Sequence, residues 1–209
     1  MRALVVDNGS PSAGLICQRL WELGAETEIV AFRNAPCRLT SRHQALVLSG
    51  TKVPADSGAY ARLTALIDRC DLPVLGLCGG MHILGLAHGG RLVEGDQRVG
   101  AHHVRLDPRE SLFRHVGSRA SLFQRHTRYL REVPTVFRVI GRAADCPVEF
   151  IRSTDGRLIG AQAHLEFRRD GRRILRGFLE YAARYGAQTH HATRPAHQGA
   201  HQALPHPGP

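Results

Sequence analysis

A chain of 209 residues with 43% hydrophobic and 22% charged residues is long enough to bury one sizeable core, and no apolar run in it approaches the length of a membrane span. The formal charge of +10, from 28 basic against 18 acidic residues, comes almost wholly from Arg spread along the chain in short clusters such as Arg168-Arg169 and Arg172-Arg173. No aromatic residues interleave with them, so the charge is read as solvated surface and not as a nucleic-acid face. Five cysteines without paired or metal-type spacing point to a reducing compartment. Met-Arg-Ala-Leu-Val-Val-Asp enters a strand at once, with no signal peptide ahead of it, so a cytoplasmic protein is expected, with no metal and no other cofactor.

Residues 2–7 read as a buried strand closed by the polar turn Asn8-Gly9-Ser10. A helix is predicted over 12–23, with Leu15, Ile16, Leu20 and Leu23 on one face and Gly24 as its stop. Strands follow at 26–32 and 44–49, then a helix over 58–69 that leads into a strand at 73–77. This alternation predicts parallel βαβ units. After Gly90 the pattern changes. Residues 99–106, 121–126, 136–141, 148–153 and 158–163 read as strands joined by polar or glycine-containing turns. Residues 172–185 read as an amphipathic helix, with Ile174, Leu175, Phe178, Leu179 and Ala182 on its apolar side. The expected fold is α/β: a mostly parallel central sheet flanked by helices, with a smaller antiparallel group of strands in the second half. Residues 1–185 form one domain in this reading. Residues 186–209 lose periodicity, and His190, His191, His197, His201 and His206 lie loosely spaced among Pro and Ala. That stretch is expected to be a disordered tail without a specific metal site.

Two stretches carry chemistry. Pro73-Val74-Leu75-Gly76-Leu77-Cys78-Gly79-Gly80-Met81-His82 runs from an apolar strand through a tight bend into a helix. A side chain at such a bend is pushed out of the sheet, and glycines are needed where backbone packs closely around it. The residue held there is Cys78, and the helix that follows points its positive end at the sulfur, which favours thiolate. The second stretch is Leu158-Ile159-Gly160-Ala161-Gln162-Ala163-His164-Leu165-Glu166. If the extended geometry continues, His164 and Glu166 share one face. A His beside a thiol takes its proton, and a carboxylate behind the ring fixes the tautomer, so Cys78, His164 and Glu166 read as nucleophile, base and orienter.

Gly-Leu-Cys-Gly-Gly-Met-His resembles the Gly-x-Cys-x-Gly-x-Gln elbow of class I glutamine amidotransferases, and Gly160-Ala161-Gln162-Ala163-His164-Leu165-Glu166 resembles their Gly-x-Gln-x-His-Pro-Glu. Val5-Val6-Asp7-Asn8 is similar to the opening of the anthranilate synthase and GMP synthase amidotransferases. Leu48-Ser49-Gly50-Thr51 falls where these carry Ser-Gly-Gly-Pro, and Ser111-Leu112-Phe113, Arg125-His126 and Cys146-Pro147-Val148-Glu149 also look familial. The resemblance implies the flavodoxin-like amidotransferase fold and hydrolysis of the glutamine side-chain amide through a thioester on Cys78. It implies oxyanion donors on Gly50 or Thr51 and on Gly79. It maps glutamine contacts onto His82, Arg125, Thr127 and Arg128, with His126 read as structural. The chain departs from the family at His82, where the family has Gln, at Thr51-Lys52 in place of Gly-Pro, and at Leu165 in place of Pro. No ATP-binding Gly-rich loop with a Lys is present, so the expected partner is a separate synthetase subunit that accepts ammonia. The readings held against this are a non-catalytic relative that only binds a partner, and a γ-glutamyl hydrolase or peptidase on the same scaffold.

Overall fold

The structure is a computed structural model that describes residues 1–192. Nine strands form one mixed sheet among these residues: β1 (Arg2–Asn8), β2 (Glu26–Ala31), β3 (Ala45–Thr51), β4 (Val74–Leu77), β5 (Arg91–Leu106), β6 (Arg119–Glu132), β7 (Phe137–Arg142), β8 (Phe150–Ser153) and β9 (Leu158–Ala161). Their order across the sheet is β2-β1-β3-β4-β9-β8-β7-β5-β6. The first five in that order run parallel, and every neighbour pair from β9 to β6 is antiparallel. The expected α/β fold, with a parallel group of strands and an antiparallel group in the second half, is present, and the sheet divides evenly between the two, joined along β9.

The parallel half forms where the apolar runs are continuous. Ala3 to Val6 and Ala45 to Leu48 are at most 1% exposed, as strands covered on both faces must be. Alternate residues feed two cores. Ala3, Val5, Ala45 and Val47 pack with Ile16 and Leu20 of α1 (Ala13–Glu22) and Ile174 and Phe178 of α4 (Arg169–Ala192). Leu4, Val6, Leu46 and Leu48 pack with Leu63 and Ile67 of α2 (Ala61–Asp68) and Met81 and Leu84 of α3 (Gly79–Ala87).

Three elements are longer than the sequence indicates. β5 and β6 pair from Arg91 and Glu132 through to Arg105 and Arg119, well beyond the predicted 99–106 and 121–126. Residues 91–97 are mostly exposed and polar on both faces, so they lack the alternation that marks a strand. Helix α4 starts earlier than residue 172 and continues through Ala192 into the stretch read as tail. Residues 193–209, and with them most of the expected tail, lie outside the described residues. Among the described residues no helix is long and apolar enough to cross a membrane.

Candidate active site

Cys78 sits between the end of β4 and the start of α3 at φ 48° and ψ −107°, a left-handed conformation that costs a non-glycine residue. Its neighbours make the bend possible. A Cβ on Gly76 would lie 2.6 Å from the carbonyl of Gly80, and one on Gly79 would lie 2.2 Å from Oγ1 of Thr51 and 2.5 Å from its amide nitrogen. No side chain fits at either place. The amide of Cys78 donates to the Ala161 carbonyl at 2.7 Å, which ties the bend to β9.

His164 and Glu166 come together differently from the sequence reading. β9 ends at Ala161, not at residue 163, so no extended strand carries the pair. His164 is held by a lone bridge to β6, its amide donating to the Phe123 carbonyl at 2.9 Å, and a turn then brings Glu166 back beneath it. Nδ1 of His164 lies 2.8 Å from Oε1 of Glu166, which is fully buried. Cys78 and the His164 ring line the same cavity, and the thiol side chain acts on the ring together with Glu166. Burial alone would lower the His164 pKa, but Cys78 and Glu166 outweigh it and raise it to about 10. Cys78 and His164 thus line one cavity, with Glu166 hydrogen-bonded to the ring.

Two cavities meet at the sulfur. One of about 280 Å³ is lined by Cys78, Gly79, Thr51, Lys52, His82, Arg125, His126, Thr127 and Arg128. It gathers all four residues mapped as glutamine contacts, with two of the three mapped oxyanion residues. The third, Gly50, opens on the other cavity, of about 740 Å³, which His164, Phe123 and Phe167 also line. Within the smaller cavity the roles separate. Arg128 is committed to Asp56, with Nη1 to Oδ1 at 3.1 Å and Nη2 to Oδ2 at 2.5 Å, so its charge is already answered at the rim. Arg125 is exposed, lines both cavities, and forms no ion pair among the described residues.

His82 points inward, and the sequence reading missed its partner. Its Nε2 lies 3.0 Å from Oε1 of Gln162, whose Nε2 donates to Cys78 Sγ at 3.9 Å. Gln162 stands between the His82 imidazole and the Cys78 sulfur. Its place two residues before His164 was the one available signal. Behind this wall lies a second unforeseen group. Arg98 and Glu149, 5% and 0% exposed, form an ion pair, Gln124 Nε2 donates to Glu149 Oε2 at 2.8 Å, and Arg98 Nη1 is 3.4 Å from His126 Nε2. Among the described residues no group of His, Cys, Asp or Glu is placed to hold a metal ion.

Burial pulls both His82 and His126 down to about 4, and the Arg98 guanidinium adds to the effect on His126. The unfolded chain, with ordinary His values near 6.5, therefore binds more protons between about pH 6.5 and 4. Their contribution to stability is lost as pH falls through that window. His164 acts with the opposite sign: its contribution is full below about 6.5 and lost as pH rises toward about 10. Urea midpoints are expected to fall between pH 6.5 and 4.5, with a smaller fall in His82→Gln. An equal fall in the two proteins would show that His82 is not buried in the neutral form.

The family model described as glutamine amidotransferase class-I matches residues 4–182. A GMP synthase [glutamine-hydrolyzing] of Streptococcus mutans is 29% identical over 188 residues, covering 85% of this chain and 36% of that protein. One of Bartonella henselae is 30% identical over 183 residues, covering 84% of this chain and 35% of that protein. The chain thus spans about a third of the length of these curated relatives. The crystal structure of a putative GMP synthase subunit from Thermoplasma acidophilum superposes with a TM-score of 0.82 at 26% identity, covering 91% of this chain and 98% of that one. With a family match over nearly the whole described domain, this chain belongs to the class-I glutamine amidotransferases.

Proposed function

We propose that the protein hydrolyses the side-chain amide of glutamine and supplies the ammonia to a separate synthetase subunit. The observation that carries this is the gathering of Cys78 and the His164–Glu166 pair at one cavity, beside a second cavity that Cys78 shares with His82, Arg125, Thr127 and Arg128. Nδ1 of His164 is taken by Glu166, so Nε2 is the nitrogen that serves the sulfur. The Cys78 thiolate attacks the carboxamide carbon, and the oxyanion takes amide N–H bonds from Gly79 and from Gly50 or Thr51. Collapse breaks the C–N bond while His164 gives its proton to the departing ammonia. The ring then takes a proton from water, hydroxide adds to the γ-glutamyl thioester, and glutamate leaves as the thiolate returns. The chain is similar to the amidotransferase part of relatives named as GMP synthases, which supports a synthetase as the acceptor's host. All five cysteines are free, in keeping with a reducing compartment such as the cytoplasm.

The test uses a glutamine-analogue electrophile, 6-diazo-5-oxo-norleucine. The expected result is one adduct on Cys78 by mass spectrometry and loss of ammonia release from glutamine, with neither adduct nor activity in Cys78→Ala. An unlabelled Cys78 in a protein that binds glutamine would favour the non-catalytic reading.

A further inference from the structure

Ser12 stands at the start of α1, where a serine ordinarily turns its hydroxyl onto the free amides of its own helix. Here it forms no such bond. Its Oγ crosses instead to a residue 154 positions away and donates to Glu166 Oε1 at 2.5 Å. The same Oε1 meets Nδ1 of His164 at 2.8 Å. Oε2 of Glu166 is buried and has no partner among the described residues. The carboxylate is thus held through one oxygen by two donors.

The donor directions follow from chemistry. An ionised carboxylate only accepts, so the Ser12 hydroxyl is the donor to it. Its lone pairs are then free for Ser10, whose Oγ is 3.0 Å away and so donates to Ser12. The amide of Ser12 returns a bond to Ser10 Oγ at 3.3 Å. Asp7 Oδ1 accepts the amides of Gly9 and Ser10 at 2.8 and 3.0 Å and fixes the turn on which both serines ride. Ser10 and Ser12 are each 8% exposed, so solvent competes little for these bonds. Farther along α1, Arg19 Nε donates to the Glu166 carbonyl at 3.2 Å. The helix therefore grips this residue at both side chain and main chain.

We propose that Ser12, backed by Ser10, is a positioning residue for the triad: it fixes Glu166 Oε1 against Nδ1 of His164, so that the ring keeps Nε2 turned to the sulfur of Cys78. The terminal torsion of a glutamate is soft, and one bond to an imidazole that can itself turn does not set it. A second donor on the same oxygen does. This inference rests on the proposed reading of Cys78 as the nucleophile, but its main readout does not need glutamine turnover.

The experiment is the NMR titration of the His164 ring, beside glutamine kinetics, in the wild type, Ser12→Ala and Ser12→Thr. In the wild type the midpoint is expected near 10. Ser12→Ala is expected to move it down toward the ordinary His value and to lower kcat by about tenfold to hundredfold, with KM changed less, because one hydrogen bond to a charged group is lost. Ser12→Thr, which keeps the hydroxyl, is expected to restore both. An unchanged midpoint and kcat in Ser12→Ala would overturn the proposal, and so would equal losses in Ala and Thr variants, since that pattern means packing and not a donor. Should Ser12→Ala fail to fold, Ser12→Cys keeps the size with a weak donor, and the same two outcomes apply to it. A wild type with the high His164 midpoint but no ammonia release would sink the glutaminase reading and leave the Ser12 result standing.

Discussion

His164→Ala is expected to lower glutamine hydrolysis by about 10²- to 10⁴-fold, the range a positioned general acid–base supplies. Three losses coincide in this one substitution. The sulfur loses the group that takes its proton. The departing ammonia loses its acid. Glu166, fully buried, loses the imidazolium that answers its charge and keeps only the Ser12 hydroxyl on Oε1. The ring also packs edge-on to Phe123 and Phe167, with centroids 6.3 and 6.1 Å away, so some stability goes with it. His164→Gln separates the effects, because it keeps a polar side chain near Glu166 while removing the base. Steady-state ammonia release, with thermal midpoints measured in parallel, is the check. A His164→Gln enzyme that retains wild-type kcat would remove the imidazole from the mechanism.

Arg98→Met is expected to destabilise the fold by roughly 3–5 kcal/mol, the cost of stranding a buried partner charge. Glu149 is fully buried, and burial pushes its carboxyl pKa up even with the Arg98 guanidinium and the Gln124 amide bonded to it. Removing Arg98 leaves Gln124 alone to satisfy it, while Asp145, 2.9 Å from Arg98 Nε, falls back on His102, 3.5 Å away, and on solvent. The double variant Arg98→Met, Glu149→Leu removes both charges and is expected to recover most of the loss, because an apolar pair of similar volume does not need to be solvated. Urea denaturation of the four proteins of the cycle measures the coupling. Additive losses would mean that the pair does not interact in solution. The consequence reaches the site through the main chain. The Glu149 carbonyl accepts the Gln162 amide at 2.8 Å, and the Gln162 side chain links His82 to Cys78. A loosened Glu149 should therefore raise KM for glutamine before it lowers kcat.

The smaller cavity also shows why the residue types at 82 and 128 do not by themselves define a glutamine contact. Arg128 spends its guanidinium on Asp56, 72 positions earlier, so what it offers the cavity is its main chain and its aliphatic stem. His82 is held neutral by burial and turned onto Gln162, and so acts as a rigid donor in the wall and not as a charge. Arg125 is the cation left open to a carboxylate.

The sequence alone determined the parallel half of the sheet and the elbow, because both rest on local demands. A strand buried on two faces must be apolar at every position, and the bend that holds Cys78 at φ 48° excludes a Cβ at Gly76, which would meet the Gly80 backbone four residues on. The stretches that place Cys78, His164 and Glu166 were legible for the same reason, since the motifs around residues 78 and 164 are contiguous. Only the tertiary structure decided how the polar residues pair. A serine at a helix start reads as a cap, and an Arg beside a substrate motif reads as a ligand. Ser12 instead meets Glu166, Arg128 meets Asp56, and Arg98 meets Glu149 across the antiparallel strands. Polar groups can be satisfied by water, by their own helix or by a distant partner at similar free energy, so the choice falls to whichever groups the packed strands bring within 3 Å in a space that excludes water.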